Sequence, residues 1–449
     1  MRRFLYRYFR SLSSVQYWLR RRFTKAGLLV LGALLASAVL GLDTSRTMAY
    51  QAFTLLLGLI VVSIVSSLWF RAKLSIERLV PRCAAVGQPL SYRIRVYNKQ
   101  GRPLPGLILL ENLADPRPSF QEFIEAPERA DEGRNWIDRT IGYPRWQALI
   151  AKNRPVVIEQ QPLPPLPSSS ETEIRVECTP LRRGLLRFDG VTVARPDPFG
   201  LFNSFVMLPL PETVSILPKR YPVPQITLPG SRTYQHGGVA LASSVGDSEE
   251  FVSMRPYRPG DPLRRIHWRS WAKLGQPIVK EYQDEFFVRH ALVLDTFQRE
   301  EQDAVFEEAV SVAASFACTV ETQESVLDLL FVGPEAYCVT VGRGIGPTEH
   351  LLEVLACLGP CRAKPFQTLH DLIMERSASL TDCLCVFLCW DEARQNLVRS
   401  LHALDIPTMV LLITDAGSSA TQASTLPDDE PTWLHRLEVG RIAEGLAAL

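Results

Sequence analysis

Two long apolar runs near the N-terminus place the strongest constraint on what this chain can fold into. The runs AGLLVLGALLASAVLGL (26–42) and AYQAFTLLLGLIVVSIVSSLWF (49–70) contain no charged residue. Each approaches the roughly 20 apolar residues that a helix needs to cross a bilayer. They predict a two-helix transmembrane hairpin within residues 1–73. A cleaved signal peptide is the competing interpretation, but the first run begins late, lacks a small-residue cleavage site and is followed at once by a second run.

The distribution of basic residues predicts the orientation of this hairpin. Eight arginine or lysine residues and no acidic residue precede the first run, whereas the connecting loop has Arg46 as its one cation. Further basic residues follow the second run closely: Arg71, Lys73, Arg78 and Arg82. Because segments rich in lysine and arginine stay in the cytoplasm, both ends of the chain are predicted to be cytoplasmic. We expect a multi-pass membrane protein with a large cytoplasmic C-terminal body.

The 449-residue chain is too long for one core, so several domains are expected. Residues 74–224 show the alternation of polar and apolar residues that is typical of antiparallel strands, as in SYRIRVYN (91–98). The stretch QQPLPPLPSSS (160–170) interrupts this alternation. The pattern predicts a β-sandwich-like domain with an extended, proline-rich insertion. A linker and a distinctive basic block follow in residues 225–285.

Residues 286–449 change to alternating strands and helices. The runs ALVLD, LDLLFVG, LCVFLCW and TMVLLIT are typical of buried parallel strands, and EEAVSVAASFACTVET has helical periodicity. A doubly wound α/β sheet satisfies this pattern. Because ligands of such sheets bind at the carboxyl ends of the strands, Asp295 at the end of ALVLD marks the position where chemistry would be sought.

The stretch RPYRPGDPLRRIHWRSWAKLG (255–275), called the signature block below, concentrates six cations and two tryptophans around one acid, Asp261. The whole chain, in contrast, has a net charge of +1. Asp261 followed by Pro262 is typical of a helix start and Gly275 of a helix end, so one helix of about three turns is predicted. We expect this helix to present a cationic surface with an aromatic side chain in it. The side chains expected to bind a partner are Arg255, Arg258, Arg264, Arg265, Trp268, Arg269 and Lys273.

The signature block and the residues that follow it resemble the defining block of the bacterial domain-of-unknown-function fifty-eight family. VARPDPFGLF (193–202) resembles a second motif of that family, in its preceding β domain. Paired N-terminal spans and a following α/β segment agree as well, so the resemblance covers essentially the whole chain. It implies a C-terminal part similar to von Willebrand factor A domains, a MoxR-type AAA+ ATPase as partner, and the bacterial inner membrane as location.

Three uses of the cationic surface are compatible with the sequence. Its arginines could clamp the β domain to the α/β domain through acids such as Asp284 and Glu285. They could instead bind an acidic face of a partner, where arginine and tryptophan are common anchors. Binding of nucleic acid is not expected, because one basic block on a near-neutral, membrane-tethered chain carries no base-reading motif.

A metal site of the von Willebrand factor A type resembles Asp-x-Ser-x-Ser, whereas this chain has DTFQR (295–299). Phe297 and Arg299 stand where hydroxyl ligands of Mg²⁺ would be needed. Asp295 is therefore a degenerate metal-site position, expected to pair with Arg299 or to cap a neighbouring helix. We expect neither a metal nor another cofactor.

Nine cysteines are present, and three of them lie in CLCVFLC (383–389). They share one parity and could line one face of a strand. Because the run is continuously apolar, buried cysteines are favoured over zinc ligands, which usually sit on turns.

These observations predict a membrane-tethered cytoplasmic scaffold or adaptor that works with a MoxR-type AAA+ ATPase in the assembly or maturation of protein complexes. The alternative is a hydrolase-like enzyme with a cleft near His267 and Asp295. The sequence contains no nucleophile elbow, phosphate loop or HExxH motif to complete an active site, so no catalytic residue is assigned. The oligomeric state stays open.

Overall fold

The computed structural model describes residues 2–40, 47–125, 142–224, 249–284, 288–298, 303–319, 325–342, 347–415 and 431–449. The chain divides into two units. The first is Met1–Arg220 with Leu352–Leu358, and the second is Tyr221–Leu351 with Gly359–Leu449.

Three helices open the first unit: α1 (Arg2–Arg22), α2 (Lys25–Leu40) and α3 (Thr47–Ser67). Helices α2 and α3 are apolar and pack against each other. Within the described residues, Met48–Ser67 is the one helix long and apolar enough to cross a membrane. Helix α2 has 16 residues, which extend over about 24 Å at a rise of about 1.5 Å, short of the ~30 Å hydrocarbon core. The predicted two-helix transmembrane hairpin is thus not confirmed, and a multi-pass topology is not supported.

The first unit continues with strands that form two sheets. The strands are β1 (Leu74–Leu79), β2 (Cys83–Ala85), β3 (Leu90–Asn98), β4 (Ile108–Leu113), β5 (Val156–Val157), β6 (Gln161–Pro162), β7 (Glu171–Pro180), β8 (Gly184–Pro196) and β9 (Asn203–Leu217). Their orders are β1-β3-β7-β5 and β2-β9-β8-β4-β6. Ile94 and Val96 of the first sheet share one core with Val191 and Val193 of the second. This two-layer arrangement agrees with the predicted β-sandwich-like domain.

The described residues of the predicted proline-rich insertion form two helices, α4 (Phe120–Glu125) and α5 (Tyr143–Asn153). Trp146 of α5 is fully buried and packs in one aromatic cluster with Phe123 of α4 and with Tyr6 and Phe9 of α1. The expectation of an extended insertion is wrong for these residues. Their helices bury large aromatic side chains against α1, and this burial stabilises the helical arrangement.

The turn in VARPDPFGLF docks on the junction between α1 and α2. Asp197 stabilises the turn, because its carboxylate accepts hydrogen bonds from three backbone N–H groups within it. The Thr24 hydroxyl donates a hydrogen bond to the Gly200 carbonyl at 2.5 Å. A Cβ atom on Gly27 would lie 2.0 Å from the Leu201 carbonyl oxygen, so the close approach of α2 to this turn requires glycine.

The second unit contains a hairpin and a six-stranded sheet. Its strands are β10 (Glu249–Pro256), β11 (Ile278–Asp284), β12 (Val288–Leu294), β13 (Ser325–Val332), β14 (Ala336–Gly342), β15 (Asp382–Phe387), β16 (Thr408–Thr414) and β17 (Leu434–Glu438). Its described helices are α6 (Trp268–Leu274), α7 (Asp303–Thr319), α8 (Thr348–Cys357), α9 (Gln367–Arg376), α10 (Glu392–Ala403) and α11 (Ile442–Ala447). Of α8, the residues from Leu352 onward belong to the first unit.

The large sheet has the order β14-β13-β12-β15-β16-β17, with β14 antiparallel and the other neighbours parallel. The four apolar runs predicted as parallel strands are confirmed as β12, β13, β15 and β16, and α7 is the predicted helix between the first two. Cys383 and Cys385 are fully buried on β15, as expected for core cysteines, whereas Cys389 lies beyond the end of that strand.

A charged pair lies inside the sandwich. Arg78 Nη2 donates to Glu111 Oε2 at 2.6 Å, and both side chains are almost fully buried. The Tyr92 hydroxyl donates to Glu111 Oε1 at 2.9 Å, and the Arg78 guanidinium lies over the Phe188 ring, 4.4 Å from its centroid. Burial raises the pKa of the Glu111 carboxyl, and hydrogen bonds and charge from Arg78 oppose that shift. Each charge of the pair is therefore stable inside the sandwich only while the other is present.

Replacing one member of this buried pair should destabilise the first unit strongly. Arg78→Met leaves Glu111 buried without its cation, and we expect a loss of about 3–5 kcal/mol. The matched control is Arg93→Met, which breaks the exposed pair with Glu173 and should cost less than about 1 kcal/mol. Hydrogen–deuterium exchange of the β3 and β8 amides in the full chain measures both losses. Equal losses in the two variants would contradict this assignment.

Candidate functional site

The signature block lies in the hairpin formed by β10 and β11. The prediction of one three-turn helix is wrong, because a short 3₁₀ turn (Leu263–Arg265) and α6 are separated by Ile266, whose backbone is extended, and by His267. Ile266 is buried and pairs with Val279 of β11, so contact with the hairpin outweighs continuation of the helix. Gly275, in a left-handed conformation with a φ of 71°, ends α6 as predicted.

Asp261 holds the turn of the signature block instead of capping a helix. Its carboxylate accepts hydrogen bonds from Arg255 Nη1 at 2.7 Å and Nη2 at 2.8 Å, and from the backbone N–H of Arg258 at 2.8 Å. The hydrogen bonds from Arg255 lower the pKa of Asp261 to about 2. Arg255, which the sequence suggested as a partner-binding residue, is therefore committed to the fold of the block.

The signature block exposes most of its other cations. The exposed ones are Arg258, Arg264, Arg269 and Lys273, whereas Arg265 is half-buried. Trp268 is 63% exposed, and its ring stacks on that of Trp271 with centroids 5.2 Å apart. Leu263 and Leu274 are exposed as well. We call Arg258, Arg264, Trp268, Arg269 and Lys273 the docking surface.

The sequence predicted Asp284 and Glu285 as acids that the arginines of the block could bind. Glu285 and the side chain of Asp284 lie outside the described residues. The use of the arginines as a clamp between domains stays a prediction.

His267 supports the start of α6. Its Nδ1 atom is hydrogen-bonded to the Ser270 hydroxyl at 2.6 Å, and its backbone N–H donates to the Ile278 carbonyl at 2.8 Å. These contacts assign the residue a structural task in the block.

Asp295 directly follows the central strand β12, and its side chain is fully buried. Arg394 of α10 binds it in a bidentate manner, with Nε 2.9 Å from Oδ2 and Nη2 3.0 Å from Oδ1. The backbone N–H groups of Phe297 and Leu388 donate to the same carboxylate at 3.0 and 3.2 Å. The partner is thus an arginine of a distant helix, while Arg299, the predicted partner, lies outside the described residues.

The four N–H donors complete the hydrogen bonding of Asp295. An ionised carboxylate accepts about four hydrogen bonds, so no lone pair remains for a metal ion or for a substrate proton. Burial raises the pKa of the Asp295 carboxyl, whereas the Arg394 charge and the two backbone donors favour its ionised form. Arg394 stays a cation at every accessible pH and supplies positive charge at this sheet edge.

Arg394 is itself held from two other sides. Its Nη1 atom donates to Asp391 Oδ2 at 2.7 Å, and its guanidinium lies over the Phe366 ring, 4.3 Å from the centroid. Asp391 also caps α10, because its carboxylate accepts a hydrogen bond from the Arg394 backbone N–H. The sequence WDEAR (390–394) after a buried strand carries the signal of this cap, an aspartate that precedes a helix. Nothing in this short sequence indicates that Arg394 pairs with Asp295.

The residues around Asp295 are also used for packing. The Thr296 hydroxyl donates to the Val332 carbonyl of β13, so it is directed away from the carboxylate. The Phe297 ring packs against Phe366, with centroids 5.5 Å apart. At position 297, where a metal site would need a hydroxyl ligand, the side chain therefore contributes to core packing.

Comparison with known proteins bears on the same region. Residues 253–386 match the family model described as "Protein of unknown function DUF58". The match covers most of the signature block's hairpin and continues through Asp295 to β15. The resemblance seen in the sequence is thereby confirmed for this part of the chain.

A curated relative and two solved structures are also similar. An uncharacterized Bacillus subtilis protein, YeaD, is 27% identical over 183 residues, which cover 40% of this chain and 44% of the relative. The chain thus matches less than half the length of that relative. The CARDB domain of a Pyrococcus furiosus protein, crystallised in complex with di-metal ions, is 14% identical with a TM-score of 0.18, covering 32% of this chain and 89% of that one. An exo-β-N-acetylglucosaminidase from Vibrio harveyi is 9% identical with a TM-score of 0.14, covering 80% and 61%.

Mg²⁺ should not bind at Asp295 more tightly than roughly 1 mM, because protein donors already fill the acceptor positions of its carboxylate. Calorimetric titration of the full chain with Mg²⁺ and Mn²⁺ measures this affinity. The matched variant is Asp295→Ala, which removes the only carboxylate at this strand end within the described residues. Tighter binding in the wild-type chain that this variant abolishes would contradict the account.

Proposed function

We propose that this protein is a membrane-tethered cytoplasmic scaffold or adaptor. Its docking surface binds an acidic face of a partner, and that partner is a MoxR-type AAA+ ATPase engaged in the assembly or maturation of protein complexes. We propose this ATPase because the signature block resembles that of the domain-of-unknown-function fifty-eight family, which implies such a partner. The match over residues 253–386 supports the resemblance.

The apolar helix Met48–Ser67 supports the tether. In this proposal the shorter apolar helix α2, which packs against α3, lies in the membrane with it, so that the chain enters and leaves the bilayer on the same side. Basic residues dominate both the segment before α2 and the segment after α3, which favours a cytoplasmic position for both. The rest of the chain, including the docking surface, then lies in the cytoplasm.

One observation carries the docking proposal, namely that the only acid of the signature block is neutralised inside it. Asp261 is bound by Arg255, so its charge does not offset the exposed cations of the docking surface. Arginine presents a planar fork of donors that matches a carboxylate, and an exposed tryptophan adds a large apolar contact. Trp268 stands among these cations in the sequence and is largely exposed. An acidic protein face is the complement of such a surface.

The proposal includes a von Willebrand factor A-like fold for the second unit. Numbered along the chain from β12, the sheet has the order 3-2-1-4-5-6 that is typical of doubly wound sheets. The position of Asp295 at the end of the first of these strands supports the same comparison. Because Arg394 binds this carboxylate, we propose that the partner is recognised by protein surfaces and not through a shared metal ion.

The alternative, a hydrolase-like enzyme that uses His267 and Asp295, is less well supported. A general base needs a free lone pair that faces the substrate, whereas the Asp295 carboxylate is buried and fully hydrogen-bonded. His267 Nδ1 is bound to Ser270.

Charge reversal on the docking surface should weaken the complex without unfolding the protein. The variant is Arg264→Glu with Arg269→Glu, both at exposed positions, and we expect at least a tenfold loss of affinity for the ATPase, about 1.4 kcal/mol. The loss should shrink at high salt, because exposed charges are screened. Pull-down from detergent-solubilised membranes and thermal melting measure the two properties.

The matched control is Arg102→Glu with Arg399→Glu, which makes the same change in charge at exposed positions elsewhere. It should leave both complex and melting unchanged. Equal weakening by the two double variants would show that net charge, and not the docking surface, governs the complex. An unchanged complex in the first variant would refute the proposal.

A further inference from the structure

One side of α1 carries a stripe of exposed apolar and aromatic side chains. Phe4 is 73% exposed, Tyr8 54%, Val15 51% and Trp18 51%. They occupy positions i, i+4, i+11 and i+14, which lie on one face of an α-helix, and Ser11 at i+7 completes the stripe. Large apolar side chains in such a row are unusual on a surface that faces only water.

This stripe is distinct from the face with which α1 folds. Tyr6 and Phe9 of α1 are buried against Phe123 and Trp146 of the insertion. The edge-on contact of the Tyr6 and Trp146 rings has a centroid distance of 5.6 Å. Helices α4 and α5 therefore hold α1 by one face and leave the stripe exposed.

Cations run beside the stripe. Helix α1 has seven arginines and no acidic residue. Arg3, Arg7 and Arg10 are exposed and share the spacing of the stripe, each one residue before a member of it. A second row of this kind places positive charge along the border of the apolar side chains.

Helix α1 ends at Arg22, and the apolar helix α2 begins at Lys25. The turn that docks on this junction presents Phe199, which is 53% exposed. Aromatic and cationic side chains near the end of an apolar helix are typical of the zone where a membrane meets water. Helix α1, which carries the stripe, is thus joined by two residues to an apolar helix that packs on the proposed membrane span.

We infer that α1 lies flat on the cytoplasmic membrane surface, with the stripe inserted at the boundary of headgroups and acyl chains and the arginines on anionic headgroups. An exposed apolar face, bordering arginines and the absence of acids are the features of interfacial helices, and they complement an anionic bilayer. The inference rests on the membrane attachment proposed above. It adds a charge-dependent contact with lipid to the apolar anchor, and it gives the insertion the task of holding α1 in place.

Site-specific photocrosslinking of the full chain tests this inference. The photoreactive residue p-benzoylphenylalanine replaces Val15 of the stripe, or Gln16 as the matched exposed position on another face of α1. Leu404, which is 53% exposed in the second unit, is the distant control. Each variant is reconstituted in nanodiscs of phosphatidylcholine mixed with phosphatidylglycerol, and lipid adducts are identified by mass spectrometry.

We expect lipid adducts at position 15 and several-fold fewer at positions 16 and 404. The yield at position 15 should fall several-fold in nanodiscs of phosphatidylcholine alone, and also when Arg3→Gln and Arg7→Gln are introduced. The control pair Arg93→Gln with Arg102→Gln removes the same charge elsewhere and should leave the yield unchanged.

Two failures have different meanings. If the chain co-purifies with nanodiscs but position 15 gives protein adducts only, or no more lipid adducts than position 404, α1 does not lie on lipid and this inference is wrong. If the chain does not co-purify with nanodiscs at all, the membrane attachment is wrong and the inference falls with it.

Discussion

The buried pair of Asp295 and Arg394 is the interaction on which the second unit depends. It joins the end of the central strand β12 to α10, which begins just after the neighbouring strand β15. A buried carboxylate is stable only when it is paired and fully hydrogen-bonded, and here one guanidinium and two backbone N–H groups meet that need. The same contacts close the edge of the sheet at which doubly wound proteins usually bind ligands.

The surface of the protein shows a different use of an ion pair. In the signature block, the single acid is bound by Arg255, and the other cations are mostly exposed. In the sheet, Arg394 pairs with Asp295 and stabilises a buried carboxylate. In the block, Arg255 pairs with Asp261, so that this carboxylate does not neutralise the exposed cations. Both arrangements support the proposal that the protein acts through its surfaces.

The sequence predicted those parts of the fold that depend on local pattern. Continuous apolar runs identified β12, β13, β15 and β16, and alternation identified strands such as β3, because burial on one or both faces leaves a direct trace in the sequence. The break at Ile266 in the signature block was not predicted, since it depends on contact with β11. The two-helix hairpin was predicted from composition, whereas the described part of α2 is too short to span a bilayer.

Contacts between distant residues were beyond the sequence for a physical reason. Asp295 and Arg394 are 99 residues apart, and nothing in either local sequence selects the other. DTFQR showed only that hydroxyl ligands are missing, not what takes their place. Likewise, the aromatic residues of α4 and α5 gave no sign that they hold α1, because the face of α1 that they cover is recognisable only once the helices are placed.

Zero-length crosslinking in intact membranes tests most directly whether the docking surface binds an acidic partner. A carbodiimide joins an amine to a carboxylate in direct contact, and Lys273 is the amine of the docking surface. We expect Lys273 to be joined to aspartate or glutamate residues of an AAA+ ATPase, while the exposed Lys99 of the sandwich is not. Crosslinks of the ATPase to Lys99 but not to Lys273, or none to either residue when the ATPase is present, would contradict the account.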